Sequence, residues 1–419
     1  MSSWHPEALI KLVILKHAII NFQFMDKTIL RRTILTLFLL VTLLPTWNLN
    51  AMAQGSVTFN PEPDSGSIVC PPGVYSTVPD DCLPLGPSQY LTNMAAEKVP
   101  YPILPLPAYS PDPSLVSVPY LYFKLTQPKA VLYLYHTLAD AMTNEKSTMP
   151  LGPGEVIISY TQRVENSSGV FYQMRDGHWV RGDDGGRLAM HQPFQGLLFS
   201  STPHNSFGWV LGDVSSYSHP DNKTPPTGNT YHRYNIVQIY ETQVGGGLTW
   251  YLIGPDEWLD SRQVGRVDPR TDPPKGVNTD RWIEVNLDQQ TLSVYQDDKL
   301  IFATLVSTGI DTLWTRPGIF QIYQKKDAET MSGYTAADRS DYYYIEDVPW
   351  TMYFDQKRAL HGAFWHDRFG YQNSHGCVNI PDGDAHWLYN WAKVGDTVYV
   401  YDPSGKTPTD PALFGSGAP

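Results

Sequence analysis

The stretch from His361 to Asn379 reads HGAFWHDRFGYQNSHGCVN. A His-Gly pair is followed by Ser374-His375-Gly376-Cys377, with Asn379 two positions beyond the cysteine. A thiol becomes a working nucleophile when an imidazole takes its proton or a cationic neighbour holds the thiolate. Cys377 has two candidate imidazoles, His361 and His375, within reach of one folded loop. Gly376 permits a tight backbone conformation, so the amide N–H groups of 376 and 377 are expected to converge on a developing oxyanion. That combination points to acyl transfer.

Outward from this stretch the pattern is β. RWIEVNL, DQQ and TLSVYQ, beginning at Arg281, alternate apolar and polar residues on either side of a polar turn and predict a hairpin. Further strands are expected near 300 to 307 and 318 to 323, and a last one at 397 to 401. Between them, DGDAHWLYNWAKVG places Ala385, Leu388, Trp391 and Ala392 at helical spacing. Asp382 or Asp384 is the expected cap of that helix and Gly395 its expected end.

The H-G-x11-S-H-G-C-x-N signature resembles the active site of the L,D-transpeptidase catalytic domain, the YkuD family. The resemblance runs over about 277 to 403 and takes in the Thr291-Leu292-x-Val294 hairpin, Arg316-Pro317-Gly318 and Gly395-Asp396-x-Val398. It implies that Cys377 attacks the carbonyl between the third residue of a peptidoglycan stem and its terminal D-Ala, giving a thioester. It further implies that His361 is the base and then the acid, and that a diamino-acid side-chain amine resolves the thioester as a 3-to-3 cross-link. Ser374, His375 and Gly376 would shape the loop and oxyanion hole, with Asn379, where many relatives carry Arg, in support. Met331 and the Tyr342 to Tyr344 cluster fall where such enzymes place a flap, making Met331, Tyr343 and Tyr344 candidate donor contacts. Carbapenem sensitivity is implied in the same way. His366 and His386 are expected to be surface or helix residues, since one base suffices.

Upstream lies an internal repeat at an offset of 79. VIISYTQ at 156 to 162 matches NIVQIYE at 235 to 241, and FYQMRDGHWV at 171 to 180 matches WYLIGPDEWL at 250 to 259. Each copy predicts a small antiparallel β-module, at 117 to 190 and 191 to 267. The aromatic spacing resembles bacterial SH3-like wall modules. Tyr172, Trp179, Tyr251 and Trp258 are expected to be core, as most strand aromatics are. Wall glycan is a candidate ligand of the modules that nothing in the sequence selects. The expected fold class is thus mainly β: two modules, then a β-rich catalytic domain with one or two short helices.

Residues 54 to 119 hold 14 prolines and suit an extended spacer, assigned to 54 to 116. Lys27, Arg31 and Arg32, an apolar run from Ile34 to Leu44 and the small-residue site Ala51-Met52-Ala53 follow the grammar of a secretory leader over 1 to 53, with a start perhaps at Met25. The alternative is an uncleaved membrane anchor. An exported, envelope or extracellular location follows. In that oxidising setting Cys70 and Cys82 are candidates for a short disulfide loop, and Cys377 is left over. Residues 404 to 419 are expected to be a flexible tail.

The formal charge of −12, with no basic stripe, excludes a nucleic-acid binder. His361, His366, His375 and Cys377 are potential zinc ligands, but neither H-E-x-x-H nor paired C-x-x-C accompanies them, so no metal or cofactor is expected. The rivals to transpeptidation are L,D-carboxypeptidase action and a non-catalytic wall-binding role. Amine, water and an envelope protein stay open as acceptors.

Overall fold

The computed structural model describes residues 87–127, 130–183, 185–188, 194–334, 338–339 and 341–414. All fall within one compact unit, Ser67–Pro419. The leader and the Cys70 and Cys82 pair lie outside the described residues. The chain is mainly β, with three α-helices among the described residues: Pro87–Ala96, Leu138–Thr143 and Asp382–Trp391. None is long and apolar enough to cross a membrane.

The hairpin read from the sequence forms between Arg281–Asn286 and Thr291–Gln296. Its turn is tied by Asn286 Oδ1, which accepts from the backbone N–H groups of Asp288 and Gln289 at 3.1 Å each. Lys299–Leu305 extends the sheet on one side. On the other, Thr397–Tyr401 pairs in parallel, Trp282 opposite Thr397. A parallel return needs a long crossover, and the helix Asp382–Trp391 lies within it.

A second sheet carries His361 and the strand that follows Cys377. Tyr343–Asp355 pairs with Gln324–Gly333 on one side and with Arg358–Gly362, which then pairs in parallel with Val378–Ile380. Ile283, Val294 and Phe302 of the first sheet are buried against Met352, Leu360 and Val378 of the second, with Leu388 of the helix. Each such side chain is worth roughly 1.5–3 kcal/mol against exposure. This sandwich core fixes the strands that carry the site.

The repeat is visible in the strand register. Phe171, Tyr172 and Gln173 face Arg181, Val180 and Trp179. At the same offset of 79, Trp250, Tyr251 and Leu252 face Asp260, Leu259 and Trp258. Tyr172, Trp179, Tyr251 and Trp258 are all buried.

Several boundaries differ from expectation. The first repeat does not stand apart from this second sheet, because Glu155–Asn166 pairs in parallel with Tyr343–Asp355, Tyr343 opposite Glu155. An open edge of backbone N–H and C=O groups is thereby satisfied by a strand distant in sequence. Leu197–Phe199, assigned to the second repeat, joins the other sheet, Leu198 opposite Phe302. The spacer is packed over its later part: Leu91, Met94 and Val99 are buried with Trp250, Leu252 and Trp258. The tail is docked at least as far as Phe414, which is buried and whose carbonyl accepts from Arg358 Nη2 at 2.5 Å.

Neither aspartate caps the helix. Pro381 holds the N-cap position and no side chain bonds there. Asp384 instead accepts from Gly196 N–H, at 2.9 Å to Oδ2, and from Thr304 Oγ1 at 2.5 Å, so it clamps the first sheet to the helix. Gly196 suits that clamp, since a Cβ there would sit 2.3 Å from the Ala303 carbonyl oxygen. The helix ends at Trp391, four residues before Gly395.

Candidate active site

Parallel pairing places Leu360, His361 and Gly362 opposite Val378, Asn379 and Ile380. Side chains two apart on a strand share a face, so Cys377 and Asn379 project on the side that His361 occupies. The Asn379 strand is also bridged to Ser307 by reciprocal N–H to carbonyl bonds of 2.9 Å. His361, Cys377 and Asn379 thus line one cavity of about 370 Å³.

His361 is buried, and its Nδ1 lies 2.9 Å from the Gly362 carbonyl oxygen. A carbonyl only accepts, so Nδ1 carries the proton and Nε2 keeps its lone pair. Burial lowers the imidazole to about 4, against which the Gly362 hydrogen bond pulls upward. At neutral pH His361 is an uncharged base of fixed tautomer.

Cys377 is also buried, with the Ala359 N–H donating to Sγ at 3.4 Å. Burial pushes the thiol up to about 11, moderated by that N–H and by the Arg358 charge. At pH 7 the free thiolate would cost roughly 5 kcal/mol. Cys377 therefore rests as a thiol at neutral pH.

The loop before the cysteine corrects one expectation. Ser374 Oγ accepts the Gly376 N–H at 3.1 Å and donates to the Cys377 carbonyl at 2.5 Å. In the resting loop the Gly376 N–H is therefore committed to Ser374 rather than pointed at an oxyanion. Gly376 has φ of +117°, a conformation side chains rarely adopt, and its carbonyl accepts from Thr315 Oγ1 at 2.9 Å. His375 stacks on Tyr343, with ring centroids 4.9 Å apart, and forms a wall of the cavity; burial pushes its imidazole down.

Met331 and Tyr343, on the hairpin of Gln324–Gly333 and Tyr343–Asp355, line the cavity with Cys377. All three also line a second cavity of about 480 Å³, whose walls include Lys326, Glu329, Tyr353 and Lys357. Cys377 is thus reached from two sides of one hairpin. Tyr344 is not at the cavity: strand alternation turns it to the other face, where its hydroxyl donates to Glu346 Oε1 at 3.0 Å and its ring packs on the core of the first repeat.

Residues 280–400 match the family model described as the L,D-transpeptidase catalytic domain, YkuD. This stretch is a YkuD catalytic domain. The chain is 24% identical over 126 residues to a Bacillus subtilis protein named "Putative L,D-transpeptidase YciB", covering 26% of this chain and 59% of that one. Among solved structures, an L,D-transpeptidase (Yku) from Stackebrandtia nassauensis is 29% identical, covering 32% of this chain and 59% of its own, with a TM-score of 0.25. The catalytic domain of the E. faecium L,D-transpeptidase is 26% identical, covering 30% of this chain and all of its own, with a TM-score of 0.27. The chain thus spans 59% of the length of the Bacillus and Stackebrandtia proteins.

Of the YkuD domain's cavity residues that sequence reasoning missed, three stand out. Trp365 stacks near His361, with centroids 5.8 Å apart. His366, expected to be a bystander, lines the cavity with its Nε2 2.9 Å from the Asn379 amide. Glu155 enters from the first repeat and pairs with Lys124 at 2.6 Å. Trp365 and His366 lie inside the signature itself, so their closeness to His361 was the available signal; Glu155 had none. His386 lies away from this cavity, stacked on Trp350 at 3.8 Å.

Proposed function

We propose that this chain is an exported peptidoglycan L,D-transpeptidase acting through a Cys377 thioester. The observation that carries the reading is the pairing of a buried thiol with a neutral imidazole of fixed tautomer in one cavity. The Cys377 proton passes to His361 Nε2 as sulfur attacks the carbonyl between the third stem residue and D-Ala. Collapse of the tetrahedral adduct breaks the amide bond, and His361 returns the proton to the leaving D-Ala amine. A diamino-acid amine then attacks the thioester, loses a proton to His361 and expels the thiol. The Cys377 N–H and the Asn379 side-chain amide are the donors proposed for the oxyanion.

Two cavities meeting at Cys377 favour transfer over hydrolysis, because an acceptor chain needs its own approach to the thioester and water does not. Incubation of the full chain with disaccharide tetrapeptide tests the reading: released D-Ala with a cross-linked dimer supports a transpeptidase. D-Ala with tripeptide alone makes it a carboxypeptidase, and neither product, with wall binding retained, makes it a binding protein.

A further inference from the structure

A cavity larger than either of the two at Cys377 lies beside the active site rather than in it. A cleft of about 750 Å³ opens between the second repeat, which contributes Thr249 and Arg262, and the catalytic domain, which contributes Asp311, Trp314, Tyr371 and Gln372. Its two sides are held rigidly. Phe207 and Trp209 of the second repeat are buried in one cluster with Trp282, Tyr295 and Leu305. The cleft is therefore preformed.

Only one backbone separates it from the catalytic cavity. Ile310 lines the catalytic cavity and Asp311 the cleft; Asn373 lines the former and Gln372 the latter. Neighbouring Cα atoms are about 3.8 Å apart, so the wall is a single chain thick. That wall is zipped: Ile310 N–H donates to the Ser374 carbonyl at 3.0 Å, and Asn373 N–H to the Thr308 carbonyl at 3.0 Å.

The lining mixes charge of both signs with amide groups and rings. Arg262 faces it already paired with Asp260 at 2.6 Å, and Asp288 lies 3.8 Å from Lys406. Tyr371 is 40% exposed, and Trp314 is half-buried with Phe414 edge-on to it at 6.3 Å. Ring faces beside planar hydrogen-bonding groups, with the carboxylates of Asp288, Asp311 and Asp402 against the cations Arg262 and Lys406, suit an uncharged polyhydroxyl ligand that has C–H faces and hydroxyls to donate to those carboxylates. On the function proposed above, the scissile carbonyl is three residues from the sugar bearing the stem. Three residues reach at most about 10–11 Å.

We propose that this cleft binds the saccharide backbone that carries a stem peptide, holding glycan beside the acyl-transfer cavity. The inference rests on the functional reading, but its test is separable from it. The full chain carrying Cys377→Ala is titrated calorimetrically with a stem-free tetrasaccharide of N-acetylated hexosamines. Binding is expected, weakened about tenfold by Arg262→Ala or by Gln372→Ala, the loss of one good hydrogen bond. With Cys377 restored, D-Ala release from a sugar-free tetrapeptide is expected to stay within about twofold in both variants, while KM for the disaccharide tetrapeptide rises.

Absence of tetrasaccharide binding overturns the proposal, as does binding that neither variant weakens. Equal damage to the sugar-free substrate would make the cleft a peptide site and also overturn it. Should either substitution unfold the chain, Asp311→Ala, at an exposed position on the wall, takes its place. Saccharide binding sensitive to these variants, in a chain that releases no D-Ala, would uphold the cleft and sink the transpeptidase reading.

Discussion

His366 Nε2 lies 2.9 Å from the side-chain amide of Asn379, the strand partner of His361. The other nitrogen of His366 accepts the Arg368 N–H at 3.1 Å. Asn379 Nδ2 is the atom placed beside Nε2, but a neutral imidazole cannot accept at both nitrogens, so we assign the proton to Nε2 and turn the amide to face it with Oδ1. The Asn379 NH₂ is then left to donate in the cavity. On the proposed function, His366 is a positioning residue that works through Asn379.

The consequence is non-additivity. His366→Ala and Asn379→Ala should each lower kcat/KM for D-Ala release by about tenfold, and the double variant should be little worse than either alone. Steady-state kinetics on the four proteins measure the coupling. Fully additive losses would mean the two side chains act apart.

The acid limb of activity should be displaced. The free-enzyme kcat/KM profile reports the protonation of His361, whose imidazole burial lowers to about 4. Activity should hold as pH falls from 7 to 5 and decline only near 4. A decline centred near 6.5 would mean that His361 is solvated in the working enzyme.

Alkylation provides the complementary reading of Cys377. With the thiol pushed up to about 11, iodoacetamide should react slowly at pH 7 and progressively faster through pH 9 and above. Intact mass against time gives the rate, and a fast, pH-independent reaction at neutrality would reveal a preformed thiolate.

Burial raises Asp382 to about 8, helped by the nearby Asp384 charge, and raises Asp384 to about 7. Raised carboxyls stabilise the fold fully below the unfolded value near 3.9 and lose that contribution as pH rises through 7 to 8. Asp382 Oδ1 is buried without a hydrogen-bond partner among the described residues. Asp382→Asn should therefore raise Tm at pH 8 and change it little at pH 4. Equal shifts at both pH values would show that the carboxyl is solvated.

Docking of the tail predicts that Phe414→Ala destabilises the chain by roughly 1–3 kcal/mol, within the usual span for loss of a packed side chain. Phe414 packs beside Arg358, its ring centroid 5.6 Å from the guanidinium carbon. Urea denaturation measures the effect. An unchanged midpoint would return residue 414 to the mobile tail that its Gly- and Pro-rich surroundings imply.

Features set by local pattern were legible in the sequence. The hairpin from Arg281 to Gln296, the strand Thr397–Tyr401 and the offset of 79 rest on alternation and repetition, which a strand must show along its own length. His361 and Cys377 stood out because their spacing carries a signature, and the fold brings both to one cavity. What escaped was set by partners far along the chain. Nothing around Glu155 announces that it will pair beside Tyr343, and nothing around Asp384 distinguishes a helix cap from a clamp on Gly196 and Thr304. Tyr343 and Tyr344 looked equivalent until the register assigned them opposite faces. Leu91 and Met94 read as spacer because their apolar partners, Trp250 and Trp258, lie some 160 residues away.

The most direct test of the central claim is intact-protein mass during incubation with tetrapeptide stem, followed by peptide mapping. The account predicts an acyl adduct that maps to Cys377, appears together with D-Ala, is discharged by an added diamino-acid amine and is absent from Cys377→Ala. Release of D-Ala without an adduct at Cys377, or an adduct that persists in Cys377→Ala, would contradict it.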